Sequence, residues 1–271
     1  MGMIKDIIAL PNDSQKKTLF VALALCLVCS ILVSAAAVVL KPMQDQNKAL
    51  DKKRNILEIA GLMQEGKSID ELFQQIEPRV IDMQTGEYVT DIDAANYDQR
   101  KAANNPKQNI QLNKADDIAS IKRRAKFTTV YLVKDGDKIK SIILPIHGYG
   151  LWSTLYGFLA LEADAQTIVG LGFYEHAETP GLGGEVDNPE WRRKWIGKHV
   201  YNESGNVIIK VIKGSVDANT PDATSKVDGL SGATLTSRGV ENMLHYWLGK
   251  QGFTNYLNKI RSATSPKGVQ Q

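Results

Sequence analysis

The sequence predicts an α+β domain carried behind a single membrane-spanning helix. Three features set that class. An uncharged apolar run fills residues 18–40. Short β-rich runs punctuated by Gly, Pro and Asp follow between 127 and 214. A C-terminal stretch then places Val240, Met243, Leu244, Trp247 and Leu248 at helical spacing. Clustered strands with segregated helices read as α+β.

The composition sets few limits. The chain has 271 residues, a net charge of +3 and a pI near 8.6, so it lacks the strongly basic footprint of a nucleic-acid binder. Charged residues at 23% and hydrophobic residues at 43% are an ordinary globular balance. Cys26 and Cys29 are the two cysteines, so no disulfide framework or thiolate metal site exists beyond residue 30.

TLFVALALCLVCSILVSAAAVVL follows Lys16-Lys17 and precedes Lys41. At ~1.5 Å per residue it reaches roughly 34 Å, enough for a hydrocarbon core of about 30 Å. The alternative is a signal peptide with Ser34-Ala-Ala-Ala37 as a cleavage site, but the apolar run continues past the alanines. Lysines flank both ends, and their count leaves the orientation open. Cys26-Leu-Val-Cys29 lies mid-run and reads as small packing residues.

Residues 41–65 read as a charged helix turning apolar at Ile56, Leu57 and Ile59. Ser68-Ile-Asp-Glu71 is a capping box that predicts a short helix ending before Glu77-Pro78. The polar stretch 84–118 predicts an irregular excursion or short strands. FTTVYLVKDGDKIKSIILPI predicts a hairpin about Asp135-Gly136-Asp137. Residues 148–164 are glycine-rich and then apolar, further strands are expected at 167–178 and 206–214, and a helix at 188–198 with Trp191 and Trp195 on one face. One long helix is expected over 237–260, and a frayed tail after it.

The chemistry-bearing stretches are few. His147, His176, His199 and His245 lack zinc-type spacing, and a metal site is not expected. There is no nucleophile elbow or Walker loop, and Gly148-Tyr-Gly150-Leu-Trp-Ser153 stops one glycine short of a dinucleotide fingerprint. His176-Ala-Glu178-Thr179-Pro180-Gly181-Leu182-Gly183 is either a tight-turn loop or a backbone surface open to a flat ligand. In Asp228-Gly229-Leu230-Ser231-Gly232-Ala233-Thr234, Thr234 precedes a helix expected to be capped by Thr236 or Ser237. A helix N-terminus favours a phosphate, and Lys213 and Lys226 would add positive charge if they fold nearby.

These motifs resemble a known family. Residues 228–234 resemble the sequence that a flavin transferase recognises when it joins FMN to a threonine. Glu178-Thr179-Pro180-Gly181-Leu182-Gly183 resembles the second signature of FMN-binding domains, and Gly150-Leu151-Trp152-Ser153 with Tyr156-Gly157-Phe158-Leu159 a further one. With the N-terminal apolar segment, nearly the whole chain resembles the C-subunit family of sodium-translocating NADH:quinone oxidoreductases.

The resemblance implies covalent FMN on Thr234, with Asp228, Gly229, Ser231, Gly232 and Ala233 completing the flavinylation motif. Trp152, Glu178, Thr179, Gly181, Leu182, Gly183 and Lys213 are the expected noncovalent flavin contacts. The implied role is electron transfer in a sodium pump, with no complete activity in this chain alone. The implied partners are an iron–sulfur subunit, a second covalent-FMN subunit and the flavin transferase.

The implied layout is a cytoplasmic tail (1–17), a transmembrane helix (18–40) in the bacterial inner membrane, a helical linker (41–78), a periplasmic FMN-binding domain (79–261) and a flexible tail (262–271). Two alternative readings are the FMN subunit of the homologous Rnf electron-transport complex and a membrane-tethered assembly module without flavin.

Overall fold

The computed structural model describes residues 7 and 9–264. Residues 1–6 and 8 of the expected tail at 1–17, and 265–271 of the tail at 262–271, lie outside them. The chain divides into two compact units, Met1–Leu50 and Asp51–Gln271.

Helix α1, Gln15–Ile59, contains the apolar run and passes through Pro42 without a break. It is long and apolar enough to cross a membrane. Leu19, Leu23, Leu27, Ile31 and Val38 are all exposed along it, as lipid-facing side chains are. Cys26 and Cys29 are free thiols on this exposed surface. The charged helix expected over 41–65 is the continuation of α1 and ends at Ile59.

In the second unit, Ser68 caps α2, Ile69–Phe73, by accepting from the Glu71 N–H at 3.2 Å. The helix is shorter than expected, because β1, Ile76–Asp82, takes over at Ile76 and straddles the expected boundary at 78/79. β2 is Tyr88–Val89. The polar excursion contains helix α3, Gln99–Asn104, capped by the Asp98 carboxylate, and a small ladder of β3, Asn109–Gln111, with β4, Arg123–Ala125.

β5, Phe127–Asp135, and β6, Lys138–Tyr149, form the predicted hairpin. β7, Thr154–Glu162, and β8, Ile168–Glu175, complete a six-stranded antiparallel sheet of order β2-β1-β5-β6-β7-β8.

Strand period two sorts side chains to opposite faces. Val130, Leu132, Ile142, Leu144 and Ile146 form one core with Val240, Met243, Leu244 and Trp247 of helix α5, Thr234–Leu248. Tyr131, Val133, Ile143 and Phe158 form a second with Ile56, Leu57 and Ile59 of α1 and Leu72 of α2. Each fully buried side chain of this kind contributes roughly 1.5–3 kcal/mol.

The C-terminal half departs from expectation in four places. Helix α4 is only Pro189–Arg193, capped by Asn188; Trp191 and Trp195 still meet edge to face at 5.3 Å. The strand expected over 206–214 is reduced to β9, Lys210–Ile212, which pairs in parallel with β10, Lys226–Asp228. The long terminal helix is two, because the chain turns between Gly249 and Gly252 before α6, Thr254–Thr264. α6 also carries helix into the first residues of the expected tail.

Candidate functional site

α5 begins at Thr234, earlier than either expected cap. Ala233 occupies the N-cap position, and no side chain caps the helix. Both candidate hydroxyls are committed elsewhere. Thr236 Oγ1 donates to Glu178 Oε2 at 2.8 Å, and Ser237 Oγ accepts the Leu230 N–H at 3.0 Å. Tertiary partners have outcompeted local capping. The first N–H groups of α5 thus have no side-chain capping oxygen, and Thr234 and Leu235 at its start are exposed.

The stretch before α5 is shaped by its backbone. Gly232 holds φ +71°, and a Cβ on Gly229 would fall 2.5 Å from the Ile212 carbonyl oxygen. Asp228 is buried beneath the turn. It accepts the Val216 N–H at 2.8 Å and pairs with Lys194, while its own carbonyl receives Trp191 Nε1–H at 2.8 Å. Burial raises the Asp228 carboxyl pKa, but the bonds from Lys194 and Val216 outweigh it and hold the group below its ordinary value.

Thr234 lines a cleft of about 960 Å³ together with Ser231, Gly229, Gly232, Lys213 and Arg238. That volume suits cofactor sites, which run roughly 300–1,000 Å³. Lys213 and Arg238 are both exposed there, and Glu241, the one carboxylate lining the cleft among the described residues, already accepts the Val211 N–H at 2.8 Å. An exposed hydroxyl, two cations and an uncapped helix N-terminus of 15 residues fit a phosphate ester. Ala233 is buried, so it supports the turn and does not line the cleft.

Lys226 does not join them. Its ammonium donates to the Pro221 carbonyl and lies 4.0 Å from Asp222. Arg238 was missed by sequence reasoning; its signal is its place one helical turn after Thr234.

The second signature folds against this turn. Leu182, 45% exposed, sits beside Gly232, where an added Cβ would meet its Cδ2 at 2.9 Å. The Thr179 carbonyl accepts the Leu182 and Gly184 N–H groups, and Gly181 takes φ +75° to close the loop.

Glu178 is buried, and its carboxylate is directed inward. It accepts the N–H groups of Leu151, Trp152 and Ser153 at 3.0–3.2 Å in addition to the Thr236 hydroxyl. Burial raises its pKa, and these donors more than reverse that, so the carboxyl lies below its usual value. A Cβ on Gly183 would fall 2.6 Å from Thr236 Oγ1 and 2.7 Å from Glu178 Oε2, so this loop must lie flat on α5. The result presents Trp152, 67% exposed, at the surface.

Thus Thr234, Gly229, Ser231, Gly232 and Lys213 share one cleft. Trp152 and Gly183 meet the Glu178 carboxylate, Thr179, Gly181 and Leu182 belong to the same loop as Glu178, and none of these residues lines the cleft.

His176 Nε2 lies 2.7 Å from Asp187, and that bond raises its pKa against the effect of burial. Among the described residues no cluster of His, Cys, Asp and Glu could hold a metal ion.

Residues 150–249, which include the Glu178 node and the Thr234 cleft, match the FMN-binding domain family. The chain is 53% identical over 254 residues to the C subunit of the Na(+)-translocating NADH-quinone reductase of Pseudomonas aeruginosa, covering 92% of this chain and 97% of that one. It is 53% identical over 251 residues to the corresponding C subunit of Vibrio vulnificus, with the same coverage.

Among solved structures it is similar to Shewanella oneidensis NqrC, with a TM-score of 0.71 and 36% identity over 78% of this chain and 96% of that one. The C subunit of the Parabacteroides distasonis reductase superposes with a TM-score of 0.59 at 27% identity, over 80% of this chain and 96% of that one. These relatives favour neither the Rnf reading nor a module without flavin. The chain belongs to the C-subunit family of Na(+)-translocating NADH-quinone reductases.

Proposed function

We propose that this chain carries FMN in phosphoester linkage to Thr234 Oγ1 and relays electrons inside a Na(+)-translocating NADH-quinone reductase. Its FMN-binding domain lies on the periplasmic side of the bacterial inner membrane, anchored by α1. The observation that carries the reading is the exposed Thr234 hydroxyl at the uncapped start of α5, in a cleft with Lys213 and Arg238.

Each part of the site has a defined task. Lys213, Arg238 and the first N–H groups of α5 neutralise and orient the phosphate. Leu235 and Leu182, 53% and 45% exposed, and Trp152 offer apolar and aromatic surface to a planar ring. Glu178 positions all three segments, since it ties the 151–153 turn, its own loop and α5 together. Bound FMN supplies reversible electron transfer, and the surrounding protein tunes its potential.

A threonine hydroxyl needs a base to become a nucleophile, and Glu241, the carboxylate in the cleft, is committed to Val211. A separate flavin transferase therefore makes the ester. Through the membrane complex the chain meets an iron–sulfur subunit on one side of the electron path and a second FMN-bearing subunit on the other.

Thr234→Val, expressed with the transferase, tests the linkage. Flavin fluorescence of the denatured band should vanish at unchanged protein level; a band that stays fluorescent would sink the assignment.

A further inference from the structure

A second cavity, of about 660 Å³, lies under the polar excursion and away from Thr234. Its wall is aromatic. The His147 imidazole stacks on Tyr156 with centroids 5.3 Å apart and planes 21° apart, and Trp247 closes against His147 at 4.9 Å. Trp247 is fixed there, because its Nε1–H donates to the His147 carbonyl at 2.6 Å. Burial, helped by the Arg100 charge, pushes the His147 imidazole down to about 4, so this ring is neutral at neutral pH.

The charged side chains that line this cavity are basic. Arg100, Lys122 and Arg123 line it, and among the described residues no Asp or Glu does. Arg100 makes a two-pronged bond to Glu175, at 2.7 and 3.0 Å, and lies 3.7 Å over the Tyr156 ring. Arg123 donates to the neutral Asn104 amide oxygen at 2.5 Å and keeps its charge uncompensated by that contact. Lys122 is exposed at the same rim.

The rim is also built under strain. Ser120 and Lys122 both hold left-handed backbone, at φ 55° and 64°, a conformation unfavourable for side-chain-bearing residues. The Asp117 carboxylate fixes it by accepting the Ile121 and Lys122 N–H groups at 2.8 and 2.7 Å. Tyr149 N–H then ties the loop to the sheet through the Ala119 carbonyl at 2.9 Å.

We infer that this cavity is a second ligand site, for a planar aromatic anion that packs against the His147–Tyr156–Trp247 wall and pairs with Lys122 and Arg123. A flat ring matches the aromatic wall, and one anionic group matches the two cations that Glu175 does not neutralise. A phosphate or a carboxylate on the ring satisfies the same chemistry. The site is independent of the Thr234 linkage, since the two clefts share no lining residue.

The test uses the full-length flavin-loaded protein in detergent, with adenosine monophosphate as the phosphate probe and 4-hydroxybenzoate as the carboxylate probe. Ligand-detected NMR and calorimetric titration read the binding, with 4-hydroxybenzyl alcohol as the uncharged control. At least one anion should bind with a dissociation constant below about a millimolar, and more tightly than the control. Lys122→Gln with Arg123→Gln should weaken it about tenfold. Lys122→Gln alone, the milder surface change, should weaken it severalfold. Thr234→Val should bind as the parent does, which separates this site from the flavin linkage. Failure of both anions to bind at millimolar concentration, or equal binding by parent and charge variants, would overturn the inference.

Discussion

The 178–183 loop turns its carboxylate inward, whereas the 228–234 stretch turns its hydroxyl outward. Both are glycine-rich and both rest on a buried carboxylate whose pKa is depressed. Glu178 accepts from three backbone N–H groups and from the Ser153 and Thr236 hydroxyls, all in two other segments. Asp228 braces its own turn from below and leaves Thr234 and the α5 N-terminus open. The difference separates two jobs often merged under one motif: one stretch builds the scaffold, and the other offers the reacting atom.

Removing the scaffold should have the largest effect. Glu178→Ala would strand three backbone N–H groups and a buried hydroxyl, and should cost about 4 kcal/mol in chemical unfolding. Loss under about 1 kcal/mol would show that Glu178 is not the node described. Gly183→Ala comes next. Its Cβ would press on Thr236 and Glu178, and overpacking of this kind costs about 1–3 kcal/mol, read as a lower melting temperature.

Thr236→Val should lose about 1.5 kcal/mol through its bond to Glu178 yet retain covalent flavin. An unstained band would contradict the division of labour. Acid should act in the same direction as these variants. Folded Glu178 and Asp228 titrate below their unfolded values of about 4, so their contribution is complete above that pH. It is lost as pH falls through the depressed folded pKa values, and Glu178→Gln should flatten the acid limb of a melting-temperature profile. The Asp228 share is smaller, because its partner Lys194 is about half exposed and screened. Thr234→Val sits at the far end: flavin is lost, while stability moves by less than ~0.5 kcal/mol at this exposed position.

Local chemistry made much of the frame legible. Asp135-Gly136-Asp137 marked its hairpin, Ser68 its cap, and residues 18–40 their apolar helix, because each signal acts within a few residues. What stayed hidden depends on distant partners. Thr236 and Ser237 look like caps until Glu178 and Leu230 claim their oxygens from 58 and 7 residues away. The parallel pairing of β9 with β10 and the Gly249–Gly252 break are likewise settled by packing, as is the inward aim of Glu178. Arg238 was readable only once the true start of α5 set its distance from Thr234.

The central claim is that one oxygen, Thr234 Oγ1, bears the cofactor. Mass spectrometry of the peptide spanning 228–238, from protein matured with its transferase, tests it directly. The account predicts an added FMN phosphoester that fragmentation places on Thr234. An unmodified peptide from flavin-containing protein, or an adduct placed on Ser231, Thr236 or Ser237, would contradict it.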